Sequence, residues 1–441
     1  MSQPSFVAQA RLRFQGSETA RRLSGALLWG SLASILGRGL PLVSMMLAAR
    51  ILGPTEFGKL TLLYSTTLAI QVFIEVGLSV TCTKYVADFH RKDPVRTGRL
   101  IDLANVVSAL TAFLIVVPIV FFREWFAANA LAAPDLTGQL YWCAVLVIVS
   151  AFSAVQQGIL VGFEAFRAIA SIESAGGLGI LLLVPLGATR YGVQGAFGAM
   201  VFGYGLRLIA QHFAVTRQTS KLGIIRRWTL PVSEIPVLWR FSLPAMLNSL
   251  LGGPATWCAI SIIAHQTNGH AEVGVFNAAN QWFSLLQFLP TIMTQVSFPI
   301  LTERLNAGAA NAAWKLFCGQ ILVTIGIVTV AVIVVILMSP FIMGFYGFQY
   351  ADKWPILIAV AIASWFAAPQ GPMGNLIIAH EMPWSWFVDS VLWAGCLIVV
   401  VCIFRSRGAI ALAWGHVAAY AVRGLFASVQ VHQLRTNTNK Q

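Results

Sequence analysis

The chain has 441 residues, of which 57% are hydrophobic and only 10% are charged, and its mean hydropathy is +0.75. A water-soluble protein of this length needs far more charge, so the composition excludes a soluble globular protein and predicts an integral membrane protein. We attribute most of the formal net charge of +13 to basic inner loops, and we expect no nucleic acid partner.

Apolar runs long enough to cross about 30 Å of hydrocarbon recur along the whole chain. They predict an all-α polytopic membrane protein with about twelve transmembrane helices. The first run is too long for a signal peptide, so it is kept as a membrane helix. The six cysteines lack C-x-x-C spacing, and we expect neither a metal nor a cofactor. The predicted spans are 23–49, 60–83, 101–122, 140–163, 170–188, 195–215, 240–263, 273–300, 316–345, 355–379, 384–404 and 409–433.

Lysine and arginine are concentrated in alternate loops, which by the positive-inside rule places both termini in the cytoplasm. Basic residues beside Trp228 suit a linker that lies on the anionic inner leaflet. The predicted organisation is a basic cytoplasmic N-terminal segment (1–22), a first six-helix lobe (23–215), a basic cytoplasmic linker (216–236), a second six-helix lobe (237–433) and a cytoplasmic tail (434–441).

The two lobes resemble copies of one another displaced by 216 positions. Glu56-Phe57-Gly58 matches Glu272-Val273-Gly274, and Gly37 matches Gly253. An even number of spans in each lobe gives both lobes the same orientation. We therefore predict a parallel pseudo-twofold repeat about an axis along the membrane normal, with a binding site between the lobes.

Polar side chains recur every three or four residues along the eighth span, which places them on one helix face. Interhelical hydrogen bonding would explain one such stripe. A matching stripe on the second span favours a water-filled cavity that both stripes line, because amides facing lipid would be unsatisfied. The residues are Ser65 and Gln71 in the second span, and Asn277, Gln281, Ser284, Gln287, Thr291 and Gln295 in the eighth.

Glycine and proline interrupt the first span and its counterpart in the second lobe. Broken helices are tolerated in membranes where they bend or line a cavity, so we interpret these positions as hinges. They are Gly37, Gly39 and Pro41 in the first span, and Gly253 and Pro254 in the seventh.

Two charges lie inside the first two spans: Arg38 near the middle of the first, and Glu75 in the second half of the second. Each costs roughly 2.5–3.5 kcal/mol at mid-bilayer on insertion scales. They could form a structural ion pair, because the helical rise puts them at similar depths. Alternatively, Glu75 could pair with Arg38 when cargo is absent and be displaced or protonated when the phosphate of the cargo arrives. Glu173 and Arg207 lie near inner helix ends, where we expect their side chains to extend to the interface.

The turn 53–60 has the G-x-x-x-x-G-K spacing of a P-loop, but Leu60 stands where the Mg²⁺-binding serine or threonine should be. No strand precedes the turn, and the topology places it outside the cytoplasm, so ATP hydrolysis is not supported. The chain also lacks a D-x-D motif and a large outer loop. We therefore expect a protein that is not an enzyme, rather than a membrane glycosyltransferase, polymerase or ligase.

The first hairpin resembles the N-terminal signature of the lipid-linked oligosaccharide flippases (Wzx-type polysaccharide transporters) of the MOP superfamily. The residues that carry the resemblance are LAARILGPTEFG at 47–58 and EVGLS at 75–79. The resemblance implies two six-helix lobes that open alternately to each side. It also implies Arg38 as the anchor for a diphosphate, since a guanidinium gives bidentate, charge-assisted hydrogen bonds to phosphate oxygens.

The implied cargo is a polyprenyl-diphosphate-linked oligosaccharide, moved from the inner to the outer leaflet of the bacterial cytoplasmic membrane for O-antigen, capsule or exopolysaccharide synthesis. The other partners implied are membrane lipids and, as a candidate, the polysaccharide polymerase with its chain-length machinery. A multidrug-type cation antiporter of the same superfamily is the alternative. Such an antiporter favours an acidic cavity, whereas the deepest charge here is Arg38.

Overall fold

The computed structural model describes residues 18–75, 77–224, 226, 234, 251–380 and 382–438, without the side chains of 18–36, 38, 74, 75, 383, 437 and 438. Throughout these ranges the regular secondary structure is helical. The main helices are α1 (Glu18–Glu75), α2 (Leu78–Phe89), α3 (Pro94–Phe121), α4 (Gln139–Gly162), α5 (Phe166–Lys221), α6 (Gly252–Ala264), α7 (Gly269–Leu286), α8 (Phe288–Asn306), α9 (Ala310–Phe345), α10 (Trp354–Ala367), α11 (Gln370–Ala379), α12 (Pro383–Ile403) and α13 (Ala409–Thr438).

Two of these helices are broken by a glycine and therefore carry two predicted spans each. Gly53 has a φ of 73° inside α1, and Gly192 has a φ of 59° inside α5. Residues with a side chain rarely adopt such angles, which explains glycine at both turns. We refer to residues 18–52 and 54–75 as the first and second arms of α1.

Eight helices in the described part of the chain are long and apolar enough to cross a membrane, and a ninth qualifies if the bent pair 39–73 and Leu78–Phe89 is one span. Of the predicted seventh span, 240–263, only residues 251–263 are described. The prediction of an all-α polytopic protein is confirmed.

The 216-residue repeat is visible in the geometry of the helices. Helix α3 begins at Pro94 and α9 begins at Ala310, which is 94 plus 216. Gly408 lies in the turn between α12 and α13. Its φ of 59° is the same as that of Gly192, the equivalent residue in the first lobe. The predicted parallel repeat is therefore confirmed, and we call the two copies lobe 1 and lobe 2.

The start of α3 illustrates how local sequence sets these boundaries. Asp93 is the N-cap residue, and its carboxylate accepts a hydrogen bond from the backbone nitrogen of Arg96 at 2.9 Å. Pro94 follows at the first helical position, where its missing N–H costs no intrahelical bond. The described part of the linker is attached close to this point, because Glu234 lies 3.2 Å from the Arg96 guanidinium and 3.3 Å from that of Arg99.

The lobes approach most closely where the second arm of α1 crosses α7. A Cβ atom on Gly58 would overlap the carbonyl oxygen of His270, and one on Gly274 would overlap the carbonyl oxygen of Pro54. The 216-residue shift exchanges these two contacts, since 54 maps to 270 and 58 maps to 274. Glycine is required at both positions because any side chain would push the two backbones apart.

Thr61 and Asn277 confirm that the pseudo-twofold axis passes through this crossing. They are equivalent residues, 216 positions apart, and the Asn277 amide donates to the Thr61 hydroxyl at 3.1 Å. Only positions beside a twofold axis can contact their own equivalents. Asn277, the first polar residue of the lobe 2 stripe, therefore forms a hydrogen bond between the two lobes.

Candidate functional site

A cavity of about 500 Å³ lies between the lobes and is walled by both. Lobe 1 contributes both arms of α1 and helix α5, and lobe 2 contributes α7 and the start of α8. We call it the central cavity. Its lining is mostly apolar: Gly37, Gly39, Pro41, Leu42, Met45, Tyr64, Ile180, Met200, Tyr204, Gln281, Ser284, Leu285 and Phe288.

Two of the residues predicted to line a cavity, Gln281 and Ser284, lie in the wall of this one. The Gln281 side-chain oxygen accepts a hydrogen bond from the Tyr346 hydroxyl at 3.4 Å. Its amide nitrogen is buried without a hydrogen-bond partner among the described residues. A buried amide donor without a partner is costly, which marks Gln281 as an unusual residue of the cavity wall.

The other polar residues of the lobe 2 stripe have different surroundings. Asn277 bonds to lobe 1 at the axis, and Gln287 donates to the Ser364 carbonyl oxygen at 3.1 Å. Thr291 donates to the carbonyl oxygen of Gln287 at 2.7 Å within its own turn, and Gln295 is exposed. Asn277 and Gln287 therefore form interhelical hydrogen bonds, and Thr291 forms a local one.

In the second span, Ser65 donates to the carbonyl oxygen of Leu62 at 2.9 Å, one turn earlier in the same arm. Gln71 lies in the wall of a separate pocket inside lobe 1. Neither residue is among the described residues that line the central cavity, and a cavity shared by both stripes stays a prediction.

The predicted hinge residues fall into two groups. Gly37, Gly39 and Pro41 line the central cavity. Gly253 packs against the second arm of α1, where a Cβ atom would lie 3.5 Å from the Val72 side chain, and Pro254 lies in the first turn of α6.

Arg38 is helical and lies between two glycines that line the cavity, while Glu75 is the last residue of α1. Both side chains lie outside the described part of the structure, so the predicted pairing between them remains a prediction.

Glu173 and Arg207 form an ion pair instead of extending separately to the interface. The Arg207 Nη2 atom lies 2.6 Å from the Glu173 carboxylate, and the side chains are 24% and 12% exposed. The other carboxylate oxygen of Glu173 lies 3.1 Å from where a Cβ atom on Gly37 would be. The pair therefore reaches the first arm of α1 beside the position of Arg38.

The 216-residue repeat pointed to Glu173 and Arg207 in the sequence. Together with Tyr204 they form a set of an acid, a tyrosine and an arginine, and the residues 216 positions later are of the same three kinds. In lobe 2 the arginine donates to the Ser390 hydroxyl at 3.2 Å, and the acid accepts from Gln430 at 3.1 Å. The triads are Glu173, Tyr204 and Arg207 in lobe 1, and Asp389, Tyr420 and Arg423 in lobe 2.

The central cavity is closed at the end of the lobes that carries the Gly53 turn. The carbonyl oxygens of residues 129–131 in lobe 1 lie within hydrogen-bond distance of Ser261 (2.6 Å), His265 (3.0 Å) and His270 (3.0 Å) in lobe 2. A further contact between the lobes is made by the Tyr350 hydroxyl of lobe 2, which donates to the carbonyl oxygen of Ala49 in α1 at 3.4 Å. We call this region the sealed end.

Comparison with known proteins relates the chain to a family of polysaccharide biosynthesis proteins. Residues 26–304, well over half of the chain, match the family described as Polysaccharide biosynthesis protein. The EPS I polysaccharide export inner membrane protein EpsE of Ralstonia solanacearum is 22% identical over 412 residues, which cover 90% of this chain and 91% of that protein. The succinoglycan biosynthesis transport protein ExoT of Rhizobium meliloti is 23% identical over 347 residues, covering 77% of this chain and 66% of that protein.

Solved structures share the fold at low sequence identity. An inward-facing multidrug resistance MATE family transporter of the MOP superfamily superposes with a TM-score of 0.76 at 15% identity, covering 94% of this chain and 99% of the other. The lipid II flippase MurJ in an inward closed conformation gives a TM-score of 0.75 at 16% identity, covering 92% and 87%. The chain therefore has the same fold as these two proteins.

Proposed function

The chain belongs to the polysaccharide biosynthesis protein family, and from this premise we propose that it is an alternating-access flippase for lipid-linked oligosaccharides. Its cargo is a polyprenyl-diphosphate-linked oligosaccharide that crosses from the inner to the outer leaflet of the bacterial cytoplasmic membrane. The observation that carries the proposal is a cavity walled by both lobes of a repeat and closed at one end.

The position of the sealed end supports the proposed direction of transport. The turns that meet there are those that the positive-inside rule assigns to the outside of the membrane. The cavity is then closed toward the outside, as required of a state that accepts cargo from the inner leaflet. Delivery to the outer leaflet requires the contacts around Gly58 and Gly274 to separate.

The chemistry of the cavity wall supports a cargo that is part polar and part apolar. Gln281 and Ser284 supply hydrogen-bonding groups for the sugar head, whereas most of the remaining wall is apolar. Arg38 lies between two cavity-lining glycines, where a guanidinium would hold the diphosphate at the membrane boundary of the head group. The lipid tail stays in the bilayer.

We predict that Arg38→Ala abolishes polysaccharide export while leaving the amount of protein in the membrane unchanged. Arg38→Lys is expected to restore export poorly, because an ammonium cannot form the bidentate contact with phosphate oxygens. The measurement is surface polysaccharide in a host strain that lacks its own copy of the gene. Arg190→Ala is the matched control, since Arg190 is an exposed arginine beside the Gly192 turn. Normal export by Arg38→Ala would exclude the diphosphate anchor.

The proposed function itself is tested by reconstituting the full chain into liposomes that contain a polyprenyl-diphosphate-linked oligosaccharide. We expect the protein to make inner-leaflet sugars accessible to an enzyme added outside, while ethidium and tetraphenylphosphonium are not moved. Sugar exposure at the rate of protein-free liposomes would contradict a flippase. Movement of the organic cations alone would assign the protein to the antiporters of the superfamily.

A further inference from the structure

Lobe 1 contains a second cavity, which the proposed function leaves unused. It has a volume of about 370 Å³, within the range of small-molecule sites, and lies between the second arm of α1, α4 and α5. We call it the lobe 1 pocket. Its polar wall includes Gln71, Ser150, Ser153, Gln157 and Arg207.

Two tyrosines separate this pocket from the central cavity. Tyr64 and Tyr204 belong to the walls of both cavities, and their hydroxyl oxygens lie 3.3 Å apart. This contact is a single hydrogen bond between two side chains. The two cavities therefore meet at this pair of side chains, next to the space in which the cargo head is held.

The polar groups of the pocket are arranged by a chain of hydrogen bonds. Ser153 donates to the Gln211 side-chain oxygen at 2.7 Å, and the Gln211 amide nitrogen donates to the Gln157 oxygen at 3.1 Å. This arrangement leaves the Gln157 amide nitrogen at the pocket as a donor. The wall therefore presents hydroxyl and amide groups in fixed orientations, as recognition of sugar hydroxyls requires.

The charge of the described part of the pocket wall favours an uncharged ligand. Arg207 is the one charged residue in its described wall, and the Glu173 carboxylate compensates that charge at 2.6 Å. The described wall has no carboxylate to bind an organic cation. A free anion would have to compete with Glu173 for the guanidinium. An uncharged ligand with hydroxyl groups needs no carboxylate and does not compete with Glu173. The tyrosine rings supply flat apolar surfaces for a sugar ring.

The equivalent of Tyr204 in lobe 2 is covered by two aromatic rings. The 216-residue shift replaces Thr67 with Phe283, and Gly177 with Trp393. Both rings pack on Tyr420, the equivalent of Tyr204, with centroid distances of 5.5 Å. The repeat thus retains the acid, the tyrosine and the arginine in both lobes, but it leaves space beside them in lobe 1.

We propose that the lobe 1 pocket is a carbohydrate subsite that takes up one uncharged, hydroxyl-rich sugar ring of the cargo while the diphosphate end stays in the central cavity. This inference rests on the proposed function for the identity of the ligand. The binding step itself can be measured without transport.

The experiment compares two substitutions on α4 in the full-length purified protein. Ala154→Phe fills the pocket without removing a hydrogen bond, and Val145→Phe adds the same ring on the exposed face of the same helix. Binding of methyl β-glucoside, methyl β-galactoside, methyl β-glucuronide and choline is followed by saturation-transfer difference NMR. We expect the wild type and Val145→Phe to bind at least one neutral glycoside, and Ala154→Phe to lose this signal and polysaccharide export together.

Several results would overturn the carbohydrate subsite. These are an unchanged neutral-glycoside signal in Ala154→Phe, no signal from either neutral glycoside in the wild type, or binding restricted to the glucuronide or to choline. Normal export by Ala154→Phe would also contradict it while leaving the flippase proposal intact. If wild-type protein binds the glycoside but moves no lipid-linked sugar, the proposed function fails and the sugar site stands. Ser150→Leu, a smaller filling substitution, replaces Ala154→Phe if that variant does not fold.

Discussion

Alanine in place of Gly58 is expected to force the two lobes apart at the sealed end. The added Cβ would overlap the carbonyl oxygen of His270, a backbone atom that cannot move without shifting α7. Overpacking of this kind costs roughly 1–3 kcal/mol. This cost applies only when the sealed end is closed. A cost of about 1–3 kcal/mol therefore lowers the population of the closed state relative to the open state by about 5- to 150-fold. Gly274→Ala should act in the same way, because the pseudo-twofold axis exchanges the two contacts.

Cross-linking across the axis measures this effect. Thr61 and Asn277 are replaced by cysteine in a variant without the six native cysteines, and a short bifunctional thiol reagent joins the lobes when the sealed end is closed. We expect efficient cross-linking in the parent and slower cross-linking with Gly58→Ala. Gly319→Ala is the control, because a Cβ atom there meets nothing within 4 Å. Equal cross-linking in all three proteins would show that the glycine contact does not hold the lobes together.

Replacing Arg207 with methionine is expected to destabilise lobe 1 strongly, because it leaves the Glu173 carboxylate buried without its partner. Removing one partner of a buried ion pair typically costs about 3–5 kcal/mol. The lower end applies here, since the side chains remain 24% and 12% exposed and water screens part of the interaction. Thermal unfolding of the purified protein, followed by fluorescence, should show a clear decrease in Tm.

The double variant Glu173→Leu/Arg207→Met distinguishes the loss of a pair from the loss of a side chain. Replacing both charges with apolar groups is often close to neutral, so we expect most of the stability to return. Arg190→Met, on the exposed outer part of α5, should leave Tm unchanged. A double variant no more stable than Arg207→Met would mean that Arg207 stabilises the lobe by contacts other than this carboxylate.

The sequence predicted the helices because their cause is local. A run such as 316–345 is uncharged and far longer than a membrane-spanning strand, and a helix satisfies all of its backbone hydrogen bonds within the segment. The repeat was predictable for a similar reason, since equivalent positions such as Gly58 and Gly274 carry the same residue. Their shared role at the axis explains that identity.

The polar stripe shows where prediction from the sequence ends. Gln281 and Gln287 belong to one predicted face, yet the first lies in the cavity wall and the second bonds to the Ser364 carbonyl oxygen. The two residues lie more than one helical turn apart, so different neighbouring helices pack against them. Periodicity assigns side chains to a face of a straight helix, but it does not reveal which neighbour meets each turn of that face.

The sequence alone thus determined the class of the protein, its two-lobed repeat and its polytopic helices, because these depend on hydropathy and on matching residues along one chain. The tertiary structure decided which polar groups share a space. It paired Glu173 with Arg207 beside Gly37, and it left a pocket at Tyr204 where the equivalent Tyr420 is covered by aromatic rings. Such contacts join residues far apart in the chain, and their partners are chosen by packing between helices, which no local pattern contains.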